Sequence, residues 1–288
     1  MSKYFDDKEL FLGPKMDQYG SHMIISDVKK PIQTKYLYID TKFRDDYSDD
    51  FKIDYNLTLD ERINEIRSLY LTNIEIPITF FNISEDLENN VLKVIEGSNE
   101  HLITIPNGQY SESSLISEID SQSSGKGLSF SPTSANITIK TTITASSDIT
   151  VVLNVDKYGS LKKKDFTSTL GWLLGFRKPS YTIASGVAKE SESFINIKGP
   201  KYLYLTIDEF NGRINRSVLG RIQMDNKNYA YGEILPANVG NGYLKSELRI
   251  YSKKNDIFRI NLKLMDEYGH IINLNGENIS LALTVEFE

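Results

Sequence analysis

Three observations predict an all-β chain. Short runs of alternating apolar residues are broken by turn signals about every 8–12 residues. Only two stretches carry helical spacing. The C-terminal sequence keeps strict apolar alternation to its second-last residue. Within the all-β class, a length of 288 residues suits a jelly-roll-like antiparallel β-sandwich, with two short helices in insertions and an extended N-terminal arm.

Residues 1–34 lack sustained periodicity and contain Gly13-Pro14, Gly20 and Pro31. An extended arm and plain terminal disorder both fit. The apolar residues Tyr4, Phe5, Leu10, Phe11, Met23, Ile24 and Ile25 favour an arm, because a purely solvating tail has no use for them. The polar, acidic start reads as neither a signal peptide nor a membrane helix.

The β domain is expected over 35–288. KYLYID (35–40) opens it with aromatic and β-branched residues. RDDYSDD (44–50) reads as a loop and FKIDYNL (51–57) alternates again. In 62–77, Ile66, Tyr70, Ile74 and Ile76 share one parity, while Leu69 and Leu71 share the other. That pattern predicts a strand covered on both faces, ended or bent by Pro77. ITFFNI (78–83) and NVLKVIE (90–96) read as further strands.

An insertion is expected around 107–127. There Ser111 stands at a helix N-cap, and Leu115, Ile116 and Ile119 form the apolar face. With Ser114 at the third helical position, no capping box is expected. LSFSP, NITIKTTI and ITVVLNV follow as short strands. A second insertion is expected around 161–192, where Phe166, Leu170, Leu173 and Leu174 fall at helical spacing and Gly175 and Pro179 supply the stop. FINIK, KYLYLTIDEF, VLGRIQM, YAYGEIL and YLKSELRIYS restore the strand pattern.

The tail reads as two strands. Phe258, Ile260, Leu262 and Leu264 alternate with polar residues. After turns at Glu267-Tyr268-Gly269 and Asn275-Gly276, Ile279, Leu281, Leu283, Val285 and Phe287 line one face. In a jelly roll the last strand packs beside the first, which places the tail next to KYLYID.

Little chemistry is encoded. The absence of cysteine excludes disulfides, thiolate metal sites and a cysteine nucleophile. His22, His101 and His270 are far apart and in no metal-ligand spacing. No nucleophile elbow, zinc-protease, phosphate-loop or dinucleotide pattern occurs. Asp45, Asp46, Asp49 and Asp50 supply carboxylates without EF-hand spacing, so a solvated loop is the simpler reading. Asp208 and Glu209 are adjacent on a strand and point to opposite faces. Gly171-Trp172-Leu173-Leu174-Gly175 reads as helix packing and a helix stop. Lys162, Lys163 and Lys164 with Trp172, Phe176, Arg177 and Lys178 form the one basic, aromatic cluster able to touch nucleic acid or an acidic partner. A charged loop beside a packed helix accounts for it more simply. The sequons at Asn56 and Asn278 carry little weight in a chain this rich in Asn, Ser and Thr. The formal net charge of -6 speaks against broad contact with nucleic acid or an anionic membrane. No apolar stretch reaches spanning length. The reading assigns no catalytic, cofactor-binding or metal residues, no cofactor and no enzyme activity.

The order YLYIDTKFRD, LYLTNIEIPITFFNI, ITIPNGQYS with its helix, LGWLLGF, KYLYLTIDEFN and LKLMDEYGHIINLNGENISLALTVEFE resembles a family of virion proteins of nucleocytoplasmic large DNA viruses. Members of that family serve as minor capsid or penton-type components. The resemblance spans about 35–288 and carries no active-site residues. It implies a jelly-roll structural protein of a large icosahedral particle, located in the virion and assembled in the host cytoplasm. The implied partners are the major capsid protein and other minor capsid proteins, in a homo-oligomer or a hetero-assembly, with no direct nucleic-acid contact and no membrane span. A β-sandwich carbohydrate-binding or host-attachment module is the alternative. It predicts exposed aromatic residues clustered beside polar loops. A capsid component predicts apolar or edge-strand contact surfaces.

Overall fold

The computed structural model of the chain describes residues 31–47, 51–135, 138–162, 165–209, 218–225 and 227–288, together with the backbone of 15–19 and 22–26. Strands β1 (Lys15–Tyr19) and β2 (His22–Ser26) pair as an antiparallel hairpin within the segment read as an arm. The anchors Tyr4, Phe5, Leu10 and Phe11 lie outside the described residues. Next come β3 (Gln33–Asp40) and the long β4 (Asp54–Pro77). The chain then builds β5 (Val91–Glu96), β6 (Asn99–Thr104), helix α1 (Glu112–Ser123), β7 (Leu128–Ala135), β8 (Thr138–Ala145) and β9 (Ile149–Val152). Helix α2 (Leu170–Leu173), β10 (Ser180–Ile183) and β11 (Ala188–Glu190) follow. The remainder is β12 (Tyr202–Glu209), β13 (Val218–Gln223), β14 (Ile234–Asn238), β15 (Leu244–Ser246), β16 (Arg249–Met265) and β17 (Ser280–Phe287).

The fold is an all-β jelly roll. Its curled antiparallel sheet runs in the order β15-β13-β12-β16-β4-β17-β3, with β14 pairing the end of β4. The tail strand β17 lies between β3 and β4 in unbroken register with β3, from Ser280 opposite Asp40 to Phe287 opposite Gln33. The last strand therefore sits beside the first strand of the sheet, as expected of a jelly roll. The face containing Ile279, Leu281, Leu283 and Val285 is fully buried; Phe287 is half-buried. Ala282 and Thr284 are buried as well, so part of the opposite face is also covered.

Strand β4 corrects the expectation of cover on both faces. Its pairing with β17 shifts between Ala282 and Leu283 and again between Glu286 and Phe287, leaving Thr72 and Arg67 as the extra residues. Each bulge inverts the alternation. Ile66, Leu69, Leu71, Ile74 and Ile76 therefore enter one core despite their mixed parity. A further shift against β16 falls near Glu65, whose φ is 54° and whose N–H donates to Asp256 Oδ1 at 3.0 Å. The next shift, between Ile257 and Arg259, puts Ile257 in the core and turns Phe258 outward, against the expected alternation.

The segment between β4 and β12 has its own hydrophobic core. Strands β10-β9-β5-β6 form one sheet and β11-β8-β7 another. They enclose Leu92, Ile103, Ile119, Ile143, Val151 and Phe176 among other side chains. Both expected helices belong to this one unit. At α1 the capping box is present after all. Ser111 Oγ accepts the Ser114 N–H at 3.2 Å and Ser114 Oγ accepts the Ser111 N–H at 2.9 Å. A serine hydroxyl thus does what a glutamate carboxylate usually does. The second helix is split. Thr169 is extended and its hydroxyl donates to the Phe166 carbonyl at 2.7 Å, separating a 3-10 turn at Phe166–Ser168 from the single turn of α2.

ITFFNI is not a strand. It is the crossing between the two cores, fixed by buried Asn82. The Asn82 amide donates to the carbonyls of Tyr110 at 2.8 Å and Ile197 at 3.0 Å, so the entry and exit of the inserted unit meet there. FINIK likewise lacks strand pairing, and YLKSELRIYS is divided between β15 and β16.

Candidate functional site

The groups singled out by sequence chemistry do not converge. His101 lies on β6, and only the backbone is described at His22. His270 closes the turn between β16 and β17, with Nδ1 2.8 Å from Asp266 Oδ2. That hydrogen bond raises the imidazole pKa above its ordinary value, against the opposing effect of burial; Glu88 adds to the rise and Lys162 opposes it. Asp45 serves as a latch. It accepts the Thr58 N–H and hydroxyl, each at 2.8 Å, and Arg259 Nε at 3.1 Å. Burial would raise its pKa, but these bonds hold it below the usual carboxylate value. Asp46 is exposed, while Asp49 and Asp50 lie outside the described residues. Among the described residues, no group of three or more His, Asp or Glu side chains could hold a metal ion.

The basic, aromatic cluster is divided by the fold. Phe176 is in the core of the inserted unit. Arg177 stacks on Trp172 at 4.1 Å and donates to the carbonyls of Trp172 and Phe176. Lys162 pairs with Glu88 at 2.7 Å. Lys163 and Lys164 lie outside the described residues. The glycines of GWLLG are close-approach positions. A Cβ at Gly171 would meet Leu153 Cβ at 2.3 Å, and one at Gly175 would meet the Ser193 carbonyl oxygen at 2.1 Å. The Asn278 side chain of the second sequon is held by Arg44 at 2.8 Å.

Where the inserted unit meets the jelly roll, Trp172, Arg177, Phe194, Lys201, Glu267 and Tyr268 line a cleft of about 230 Å³. Tyr268 ties its two sides through a hydrogen bond to Thr167 at 2.9 Å. A cleft this small is below the usual size of a small-molecule site.

A second exposed feature is apolar and lies along an edge. Tyr36 and Tyr38 on β3 are 58% and 79% exposed; Ile32 just before the strand and Phe43 and Tyr47 just after it are also exposed. Arg44 stacks on Tyr47 at 4.3 Å and on Tyr55 at 4.5 Å, and donates to the Thr41 carbonyl, which fixes the turn after β3. β3 pairs only with β17 among the described residues, so its other edge is open. Sequence reasoning marked KYLYID as a strand. Nothing in its composition showed that its tyrosine row would face solvent at an edge.

No protein-family profile matches the chain, and no curated protein matches it. Among solved structures it is similar to the mavirus penton protein, at 11% identity over 89% of this chain and 99% of that one, with a TM-score of 0.44. A complex of the two major capsid proteins VP16 and VP17 of bacteriophage P23-77 also matches, at 9% identity over 88% of this chain and 98% of that one, with a TM-score of 0.16.

Proposed function

We propose that the chain is a structural virion protein, a minor capsid or penton-type component of a large icosahedral DNA virus, acting through protein–protein interfaces. The observation that carries this reading is the open, apolar edge at β3, the kind of contact surface a shell component needs. The sequence resemblance over 35–288 supports it. The partners in this reading are the major capsid protein and other minor capsid proteins, and the site of action is the virion, assembled in the host cytoplasm. Residues 1–34 serve as an arm for a neighbouring subunit, and 35–288 form the jelly roll with its inserted unit. The carbohydrate-binding alternative is weaker, because most of the exposed aromatic side chains near β3 follow a strand edge and its flanking turn rather than a pocket.

The test is incorporation. Full-length chain and a chain lacking residues 1–30 are each supplied during particle assembly, and their recovery in purified particles is measured. The cut stops before β3, which begins at Gln33. The full chain should co-purify with particles. The shortened chain should keep its thermal midpoint and lose most of its recovery. Absence of the full chain from particles refutes the reading.

A further inference from the structure

We propose that the open edge of β3 pairs with β3 of a second copy of this chain, antiparallel and about a twofold axis, joining two jelly-roll sheets into one. The proposal rests on the reading of the chain as an interface-building virion component and specifies one of its contacts.

The backbone supplies the first argument. The Thr41 N–H donates to the Ile279 carbonyl at 3.0 Å. In an antiparallel ladder, hydrogen-bonded and non-hydrogen-bonded pairs alternate. The unbroken register with β17 then directs the N–H and C=O groups of Lys35, Leu37 and Ile39 toward β17. Those of Thr34, Tyr36, Tyr38 and Asp40 point to the open edge. Natural edges are protected by bulges, proline, short length or inward charges. β3 runs 8 residues without a bulge or a proline; the charge on its inward row, Lys35, is paired with Glu61 of its own chain, and its outer row carries two exposed tyrosines.

Self-complementarity supplies the second. A twofold axis perpendicular to the sheet at Leu37 keeps each side chain on its own face. It opposes Tyr36 to Tyr38 of the second copy and Thr34 to Asp40 of the second copy, all residues with outward-pointing backbone groups. The tyrosines form a cross-strand aromatic ladder on the outer face. Ile32 just before the strand and Phe43 in the turn just after it are also exposed. Sliding the pair by one register step sets Tyr36 against Asp40 and leaves one tyrosine pair, Tyr38 against Tyr38 of the second copy, in place of two. One strand edge thus matches itself at its centre and at both ends, as a closed twofold contact requires.

Sedimentation of the purified full chain over roughly 1–500 µM tests this, and should show a monomer–dimer equilibrium. Tyr38→Pro deletes an N–H that only a partner strand uses, so it should retain the thermal midpoint and weaken association at least about tenfold. Leu37→Pro deletes an N–H given to β17 and should instead damage the fold. Two further variants test the cross-strand contact of the tyrosine row. The Tyr36→Glu/Tyr38→Glu chain should be monomeric, as should the Tyr36→Lys/Tyr38→Lys chain. An equimolar mixture should pair again, because each introduced carboxylate faces an introduced ammonium. A wild-type chain that stays monomeric overturns the proposal, and so does a dimer that the Tyr38→Pro and charge variants leave intact. Monomers with exchange-protected Tyr36 and Tyr38 amides would overturn it by assigning the edge to the chain's own residues 1–30. Because the chain is assayed alone, failure here leaves particle incorporation standing, and failure of incorporation leaves the dimer standing.

Discussion

Removing residues 277–288 takes β17 out of the middle of the sheet. Ile279, Leu281, Leu283 and Val285 are each at most 2% exposed. At about 1.5–3 kcal/mol per buried aliphatic side chain, their loss alone amounts to about 6–12 kcal/mol. A domain of ordinary stability has about 5–15 kcal/mol in total. The deletion also strips β3 of its described strand partner and uncovers Leu69, Leu71 and Ile74 on β4. The jelly roll should therefore not fold. The inserted unit has a separate core, so a residual melting transition from it is expected and is not a rescue. The decisive assay is hydrogen exchange at the β4 amides from Leu69 to Ile76, alongside calorimetry. In the truncated chain those amides should exchange as in the unfolded state. A single Leu283→Ala change is the graded control. Its cost should be about 2–5 kcal/mol, with a cooperative transition lowered by roughly 4–20 °C at about 2–4 °C per kcal/mol. Protected β4 amides and a midpoint within a few degrees of the full chain would refute the reasoning.

Other consequences can be measured independently. Gly175→Ala should destabilise the inserted unit by at least about 1–3 kcal/mol by thermal unfolding, since φ is +94° and the Ser193 carbonyl occupies the Cβ position. Residues 82–198 expressed alone should unfold cooperatively, because they carry their own core and their ends meet where Asn82 donates to the Ile197 carbonyl; a chain without a calorimetric transition refutes this. His270 has a raised folded pKa, so its pair with Asp266 contributes stability fully below the unfolded value of about 6.5 and loses it as pH rises through the folded value. The stability difference between wild type and His270→Gln should therefore shrink between acidic and alkaline pH, and a pH-independent difference refutes it. At Glu192 burial would raise the carboxyl, but Tyr181, Lys189 and the backbone hold it down at about 2. Its contribution is present above the unfolded value of about 4.5 and is lost as pH falls toward 2. Glu192→Gln should flatten that acid limb; an unchanged limb assigns it to other carboxylates.

The sequence by itself determined the strand content, the buried tail and the absence of a recognisable catalytic motif. These follow from local pattern. Period-2 alternation in 279–287 dictates which of its residues line one face, and the aromatic and β-branched run of KYLYID favours a strand. Asn275-Gly276, both at positive φ, dictates a turn for the same local reason. Long-range pairing decided the rest. Leu69, Leu71, Ile74 and Ile76 share a face only because β17 pairs across bulges at Thr72 and Arg67, and no periodicity count within β4 can locate a bulge set by its partner. Phe258 is turned outward by the same mechanism. The merging of the two helical segments into one unit depends on Asn82 reaching Tyr110 and Ile197, contacts far apart in sequence. The interface candidate at Tyr36 and Tyr38 was visible only as two aromatic residues in a strand. That they stand at an open edge depends on which strand has a neighbour on each side, and hydrogen bonding between distant segments decides that.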